Sequence, residues 1–147
     1  MPEVRAKKAL GQHFLTDLNI ARKICDSLTE RAKDDPEAVL EVGCGMGVLT
    51  QYLLQRSDIT TYGAEIDSES VEYLNVHYPD FTPRLIEGDF LKMNLQERFP
   101  NGVRVIGNFP YNISSQIFFK IIENRDLVPQ CVGMIQKEVA ERIAEKE

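Results

Sequence analysis

Read from its amino end, the chain alternates between apolar residues at helical spacing and short continuous apolar runs. Residues 16–28 (TDLNIARKICDSL) place Ile20, Ile24 and Leu28 four apart, which predicts one helical stripe with Thr16 or Asp17 as its N-cap. After the polar connector AKDDPEA, the run AVLEV (38–42) predicts a first strand; a glycine loop follows, and VLTQYLLQ returns to helical spacing. ITTYGAEI (59–66) predicts a second strand, ahead of a helix carrying Val71, Leu74 and Tyr78. PRLIEG (83–88), VRVIGN (103–108) and CVGMIQ (131–136) predict strands three, four and five. Between the last two, SSQIFFKIIEN predicts a serine-capped helix with a wide apolar face. Strands alternating with helices imply parallel βαβ units in an open, doubly wound α/β sheet. An apolar fifth strand at a sheet margin is a pairing hazard. The expectation is therefore a piece of something longer, with self-association through strand five as the other outcome.

In such sheets ligands sit outside the carboxyl ends of the strands, and the unusual residues of this chain fall at those ends. LEVGCGMGVLT puts Glu41, Gly43, Gly45 and Gly47 at the end of strand one. Glycines there allow a sharp turn and a close backbone approach, in front of a helix N-terminus that favours negative charge. The dinucleotide fingerprint GxGxxG would need a third glycine where Val48 stands, so the spacing argues against a pyrophosphate and an NAD-dependent dehydrogenase. Glu65 ends strand two in GAEID, where a carboxylate can accept hydrogen bonds from ribose hydroxyls. Asp89 follows strand three in EGDF; it suits an adenine amino group, with Phe90 offering the ring a face or edge, although a turn or cap is the commoner use of such an aspartate. Three carboxylates (Glu41, Glu65, Asp89) in one crevice suit a nucleoside carrying positive charge, and S-adenosylmethionine, a sulfonium with an ammonium and one carboxylate, fits.

Strand four ends in IGNFPYN. The side-chain oxygen of Asn108 and the carbonyl of Pro110 are two acceptors a short distance apart, which matches an amino group with two hydrogens such as the exocyclic amine of adenine. Tyr111 offers a stacking face for an extruded base, and Phe109 helps to shape the pocket. Alignment and electrostatics would then carry a methyl transfer without a strong base.

Composition narrows this further. With 147 residues, 43% hydrophobic and 27% charged, the chain suits one domain with a real core. Three scattered cysteines (Cys25, Cys44, Cys131) and two histidines argue for reduced thiols in the cytoplasm and against a metal or disulfide framework; the cysteines are expected to pack, and His77 to be solvated or capping. No signal peptide and no membrane span are apparent in the sequence. A net charge of −6 is a poor footprint for a nucleic-acid binder, the one locally basic stretch being RAKK at residues 5–8.

The segments KKALGQHFLTD, LEVGCGMGVLT, GAEID, EGDF, GNFPYNISS and IQKEVAERI resemble, in order, the successive motifs of the ribosomal RNA adenine dimethylase family of the bacterial KsgA type. The macrolide-resistance rRNA methylases are its cousins. The resemblance implies a Rossmann-like class I methyltransferase sheet, here truncated to about five parallel strands. Residues 1–147 would form its N-terminal S-adenosylmethionine-binding catalytic domain, lacking the family's last strands and helical C-terminal domain. It also implies that His13 and Leu15 touch the cofactor, joining Gly43, Glu65, Asp89 and Asn108, and that residues 108–111 hold the target adenine. The family substrate is a pair of adjacent adenines near the 3' end of 16S rRNA in an immature small ribosomal subunit, each methylated twice, with S-adenosylhomocysteine as product. His13 stands where the family more often has asparagine, and Phe109 where leucine is commoner. Much of the basic RNA-contacting surface is expected in the part of the family's proteins not covered here. A resistance-type 23S rRNA methylase and a non-catalytic ribosome assembly factor are the alternatives.

Overall fold

The computed structural model describes residues 18–109 and 111–135. Within them helix α1 (Leu18–Ser27) precedes strand β1 (Ala38–Val42), the short helix α2 (Thr50–Leu53) and β2 (Thr60–Glu65). Next come α3 (Ser68–His77), β3 (Leu85–Glu87), the short α4 (Leu95–Arg98), β4 (Arg104–Phe109), α5 (Ser114–Glu123) and β5 (Cys131–Ile135). Single 3-10 turns at Pro79–Arg84 and Phe90–Lys92 flank β3. Pro79 and Pro83 lie in the first of these, so the strand expected from residue 83 begins at Leu85.

All five strands run parallel, in the order β3-β2-β1-β4-β5. The chain steps outward from β1 to β3 and then crosses to the other side of β1 for β4. The crossover leaves a crevice at the carboxyl ends of β1 and β4, the position at which open α/β sheets bind ligands. Both faces of the sheet are covered, which is why the strands are apolar runs instead of alternating ones. One face carries Leu40, Val42, Val105 and Phe109 against Ile117 of α5, Leu95 and Phe99. The other carries Val39 and Ile106 against Ala21, Ile24 and Cys25 of α1 and Leu28 just after it, with Leu49 and Leu53.

The stripe of α1 is rotated from the expected one. Ile24 and Leu28 are buried with Ala21 and Cys25, whereas Ile20 is 40% exposed. Small residues at 21 and 25 let the helix lie close to the sheet, and the buried arc centres on them. The expected N-caps, Thr16 and Asp17, lie outside the described residues. In α5 the wide apolar face divides: Ile117 is buried, while Phe119 and Ile122 stand exposed. Its N-cap is Ile113, without a side-chain cap, and Ser114 instead donates its hydroxyl to the Tyr111 carbonyl at 3.3 Å. Among the described residues no helix is long and apolar enough to cross a membrane.

Candidate active site

Register places the candidate residues. Glu41 pairs with Gly63 on one side and Ile106 on the other. Side chains alternate along a strand, so Glu41, Glu65 and Asn108 project from the same face of the sheet, on three adjacent strands. Val42 and Phe109 project from the opposite face.

The loop after β1 is shaped by positive φ at Gly43 (78°), Gly45 (54°) and Gly47 (84°), a backbone that other residues adopt only under strain. At Gly43 nothing lies within 4 Å of where a Cβ would stand, so a ligand can approach the backbone there. At Gly47 the reason is different: a Cβ would meet the Tyr78 ring at 2.7 Å. Glu65, 4% exposed, fastens this loop to β2. Its Oε1 accepts the Gly45 amide at 2.7 Å and its Oε2 the Asp67 amide at 2.9 Å. As an acceptor-only carboxylate with lone pairs beyond those the amides use, Glu65 can also accept from a ribose hydroxyl. Burial raises the Glu65 pKa, opposed by those amides.

Glu41 is deeper, at 1% exposed, and accepts a hydrogen bond from the Thr50 hydroxyl at the start of α2. Burial pushes its carboxyl up to about 8; the Thr50 hydroxyl pulls it down and the negative charge of Glu65 adds to the rise. Two acidic groups buried side by side on one sheet face favour a cation, which would stabilise their ionised forms. Their chemistry therefore fits the ammonium and sulfonium of S-adenosylmethionine, with Gly43 leaving room for it.

Asp89 caps the 3-10 turn, its Oδ1 accepting the Leu91 amide at 2.9 Å. The cap uses one oxygen and leaves the other for a ligand amine. Phe90 is buried in the core, with the Lys120 ammonium 5.1 Å from its ring centroid and bonded to the Met93 carbonyl.

At the end of β4, Asn108 is half-buried and Tyr111 occupies the turn into α5. Phe109 turns away from the crevice face, is 0% exposed and packs edge-on against Phe118 at 5.5 Å. His13, Leu15 and Pro110 lie outside the described residues.

Sequence reasoning missed Thr50, whose signal was a hydroxyl inside an apolar helical run nine positions after Glu41. It also missed Asp67, which caps α3 by accepting from the Ser70 amide and hydroxyl while its own amide holds Glu65. The three cysteines are free thiols, and burial pushes Cys25 up to about 12 and Cys131 up to about 11, consistent with packing roles. His77 ends α3, exposed, stacked on Tyr73 with Nδ1 2.9 Å from the Tyr73 carbonyl oxygen. Among the described residues no cluster of three or more His, Cys, Asp or Glu could hold a metal ion.

The sequence pattern of the family described as ribosomal RNA adenine dimethylase matches residues 3–147. The chain belongs to that family. A protein of Parabacteroides distasonis named ribosomal RNA small subunit methyltransferase A is 57% identical over 142 residues, 96% of this chain and 52% of that one. The protein of the same name from Flavobacterium johnsoniae is 54% identical, across 99% of this chain and 55% of its own length. The chain thus spans about half the length of these curated relatives. Among solved structures, the 23S rRNA methyltransferase ErmE superposes with a TM-score of 0.64 at 26% identity, covering 79% of this chain and 45% of that one. A putative RNA methyltransferase from Pyrococcus horikoshii shares the fold, with a TM-score of 0.63 over 92% of this chain and 70% of its own, at 21% identity. The five-stranded sheet described above is therefore a class I methyltransferase sheet.

Proposed function

We propose that this chain is the S-adenosylmethionine-binding catalytic domain of an rRNA adenine dimethyltransferase acting on the small ribosomal subunit. The observation that carries the reading is the placement of Glu41, Glu65 and Asn108 on one face, at the carboxyl ends flanking the crossover. Membership of the dimethylase family and the similarity to small-subunit methyltransferases support the choice of substrate.

When bound, the cofactor supplies a methyl group made electrophilic by the sulfonium. Glu65 holds the ribose through its remaining lone pairs, and Glu41 stands opposite positive charge. Asp89 takes the adenine amine of the cofactor, backed by Phe90, and the glycine loop leaves room for the amino acid portion. By the family resemblance, His13 and Leu15 would also touch the cofactor. On the other side of the crevice the Asn108 side-chain oxygen and the Pro110 carbonyl accept the two hydrogens of the target amine. Holding both hydrogens would turn the nitrogen lone pair out of the ring plane, where it can accept a methyl group. Tyr111 stacks on the base.

The substrate is a pair of adjacent adenines near the 3' end of 16S rRNA in an immature small subunit, each methylated twice, and the protein works in the cytoplasm where subunits mature. With a net charge of −6, RNA affinity of the chain alone is expected to be weak. The position of β5 at the sheet margin supports self-association, and a strictly monomeric species in light scattering at high concentration removes that part.

The test compares methyl incorporation into undermethylated small subunits with that into naked 23S rRNA, alongside calorimetric titration with S-adenosylhomocysteine and NAD. Incorporation into small subunits, lost in Asn108→Ala with association with the small subunit retained, is the expected result. Binding of NAD, or methylation of 23S rRNA alone, overturns it.

A further inference from the structure

Two paired glycines lie under the end of the active-site strand, and nothing in the proposed chemistry uses them. Gly107 of β4 and Gly133 of β5 are in register with each other, on the sheet face opposite Asn108. The ring of Phe109 covers both. A Cβ at Gly107 would meet Phe109 Cε1 at 2.9 Å and the Val42 carbonyl oxygen at 2.6 Å. At Gly133 the three nearest atoms to a Cβ all belong to the Phe109 ring, with Cδ2 and Cζ each at 2.9 Å. The backbone of Gly133 has no positive φ, so its own conformation would accept alanine. The missing side chain there makes room for the aromatic ring.

We propose that Gly133, Gly107 and Phe109 form a latch that sets the position of Asn108 and of the turn carrying Tyr111. Consecutive strand residues point to opposite faces, so a ring seated on the glycine floor fixes the rotation of β4 at its last residues, and with it the direction of the Asn108 amide. The same ring packs edge-on against Phe118 of α5. The turn between β4 and α5 is therefore clamped at both ends by one side chain, with Ser114 Oγ tying α5 to the Tyr111 carbonyl. Phe109 and the two glycines act as positioning residues and do not touch the reacting atoms. The functional consequence rests on the proposed role of Asn108; the geometric one does not.

The test is a double-mutant cycle of Gly133→Ala and Phe109→Leu in the full chain, with two readouts. One is the side-chain amide resonance pair of Asn108 in a nitrogen–proton correlation spectrum, assigned by its loss in Asn108→Ala. The other is the Kd for S-adenosylhomocysteine. Alanine at 133 displaces the ring and leucine at 109 leaves the floor unfilled, so each single change is expected to shift the Asn108 pair and raise the Kd about fivefold to tenfold. Together the added methyl fills the space the smaller side chain leaves, and both readouts return to within about twofold of the parent. If Gly133→Ala does not fold, Phe109→Leu against the double variant reads the same rescue. A lower melting temperature with unmoved Asn108 resonances, or a double variant no better than the singles, overturns the latch. If the parent fails to bind S-adenosylhomocysteine while the Asn108 resonances still follow the cycle, the cofactor reading falls and the latch stands.

Discussion

The carboxyl ends of β1 and β2 lie on one side of the crossover, and those of β4 and β5 on the other; the two are built from different forces. On the first side Glu65 holds the Gly45 and Asp67 amides, Thr50 holds Glu41, and the chain turns through three glycines of positive φ. On the second side a buried phenylalanine sits on two glycines and against another phenylalanine. The first side is positioned by hydrogen bonds and charge and, in the proposed function, presents fixed polar groups to a small cation. The second is positioned by packing and, in the proposed function, holds a flat base at a set distance. A polar network is sensitive to protons and to any lost partner, whereas an aromatic plug is sensitive to volume. That contrast can be broken experimentally.

The largest effect is expected at Glu65. Glu65→Ala removes a carboxylate that accepts two backbone amides and, by the proposed role, two ribose hydroxyls. Charge-assisted hydrogen bonds are worth about 1.5–3 kcal/mol each. S-adenosylhomocysteine affinity should fall at least about 100-fold by calorimetry. Tyr111→Ala, across the crevice, should change it less than about threefold. Equal losses at both positions would abolish the division between a cofactor side and a base side.

Next in size is Gly47→Ala. The substitution forces a positive φ of 84° on a residue with a side chain and brings its Cβ within 2.7 Å of the Tyr78 ring. A loss of about 2–3 kcal/mol in denaturant unfolding is expected. Gly43→Ala carries a similar φ but open space, and should cost about 1 kcal/mol, all of it backbone. If the two cost the same, the Tyr78 contact is irrelevant and the loop is shaped by φ alone.

Glu41 offers a comparison in pH. Its folded pKa is raised from 4.5 to about 8, so its contribution to stability is fully present below about 4.5 and is lost as pH rises through about 8. Between those values the folded state holds a proton that the unfolded chain releases. Glu41→Gln, which stays neutral throughout, should flatten that decline and be more stable than the parent by about 2 kcal/mol at pH 9. Urea midpoints measured from pH 5 to pH 9 give the answer, and parallel curves for parent and variant would place the carboxyl in water.

Much of this was legible in the sequence, for identifiable reasons. The strand β1 has the bounds its apolar run predicts, and the other four fall within two residues of theirs, because a buried parallel sheet leaves little room for polar residues inside a strand. The glycine loop and its carboxylates were legible because strand ends in a doubly wound sheet have one job and few residues to do it. The rest was hidden where neighbours distant in sequence decide. Arg104 opens β4 in the middle of an apolar run and is 0% exposed, donating from Nη1 to the Thr29 carbonyl at 2.8 Å and to Gln130 Oε1 at 3.1 Å. Those partners lie 75 residues before it and 26 after it. Gly133 reads as a weak point in an edge strand until the ring of Phe109 is placed over it.

The smallest effect separates the two sides most cleanly. Thr50→Val removes the hydroxyl that donates to Glu41 and preserves the shape of the side chain. That hydrogen bond favours the ionised carboxylate, so without it the Glu41 pKa climbs beyond about 8 and the decline in stability extends to higher pH. Near pH 5 the carboxyl is protonated in both proteins, and the variant should lie within about 0.5 kcal/mol of the parent. Near pH 9 the parent carboxylate keeps its donor and the variant's does not, and the gap should widen to about 1 kcal/mol. Phe109→Leu on the other side should cost about 1 kcal/mol at both pH values, because no proton enters its packing. A gap for Thr50→Val that does not grow with pH would mean that Thr50 also supports the loop by packing, and the division between a polar side and a packed side would have to be redrawn through α2.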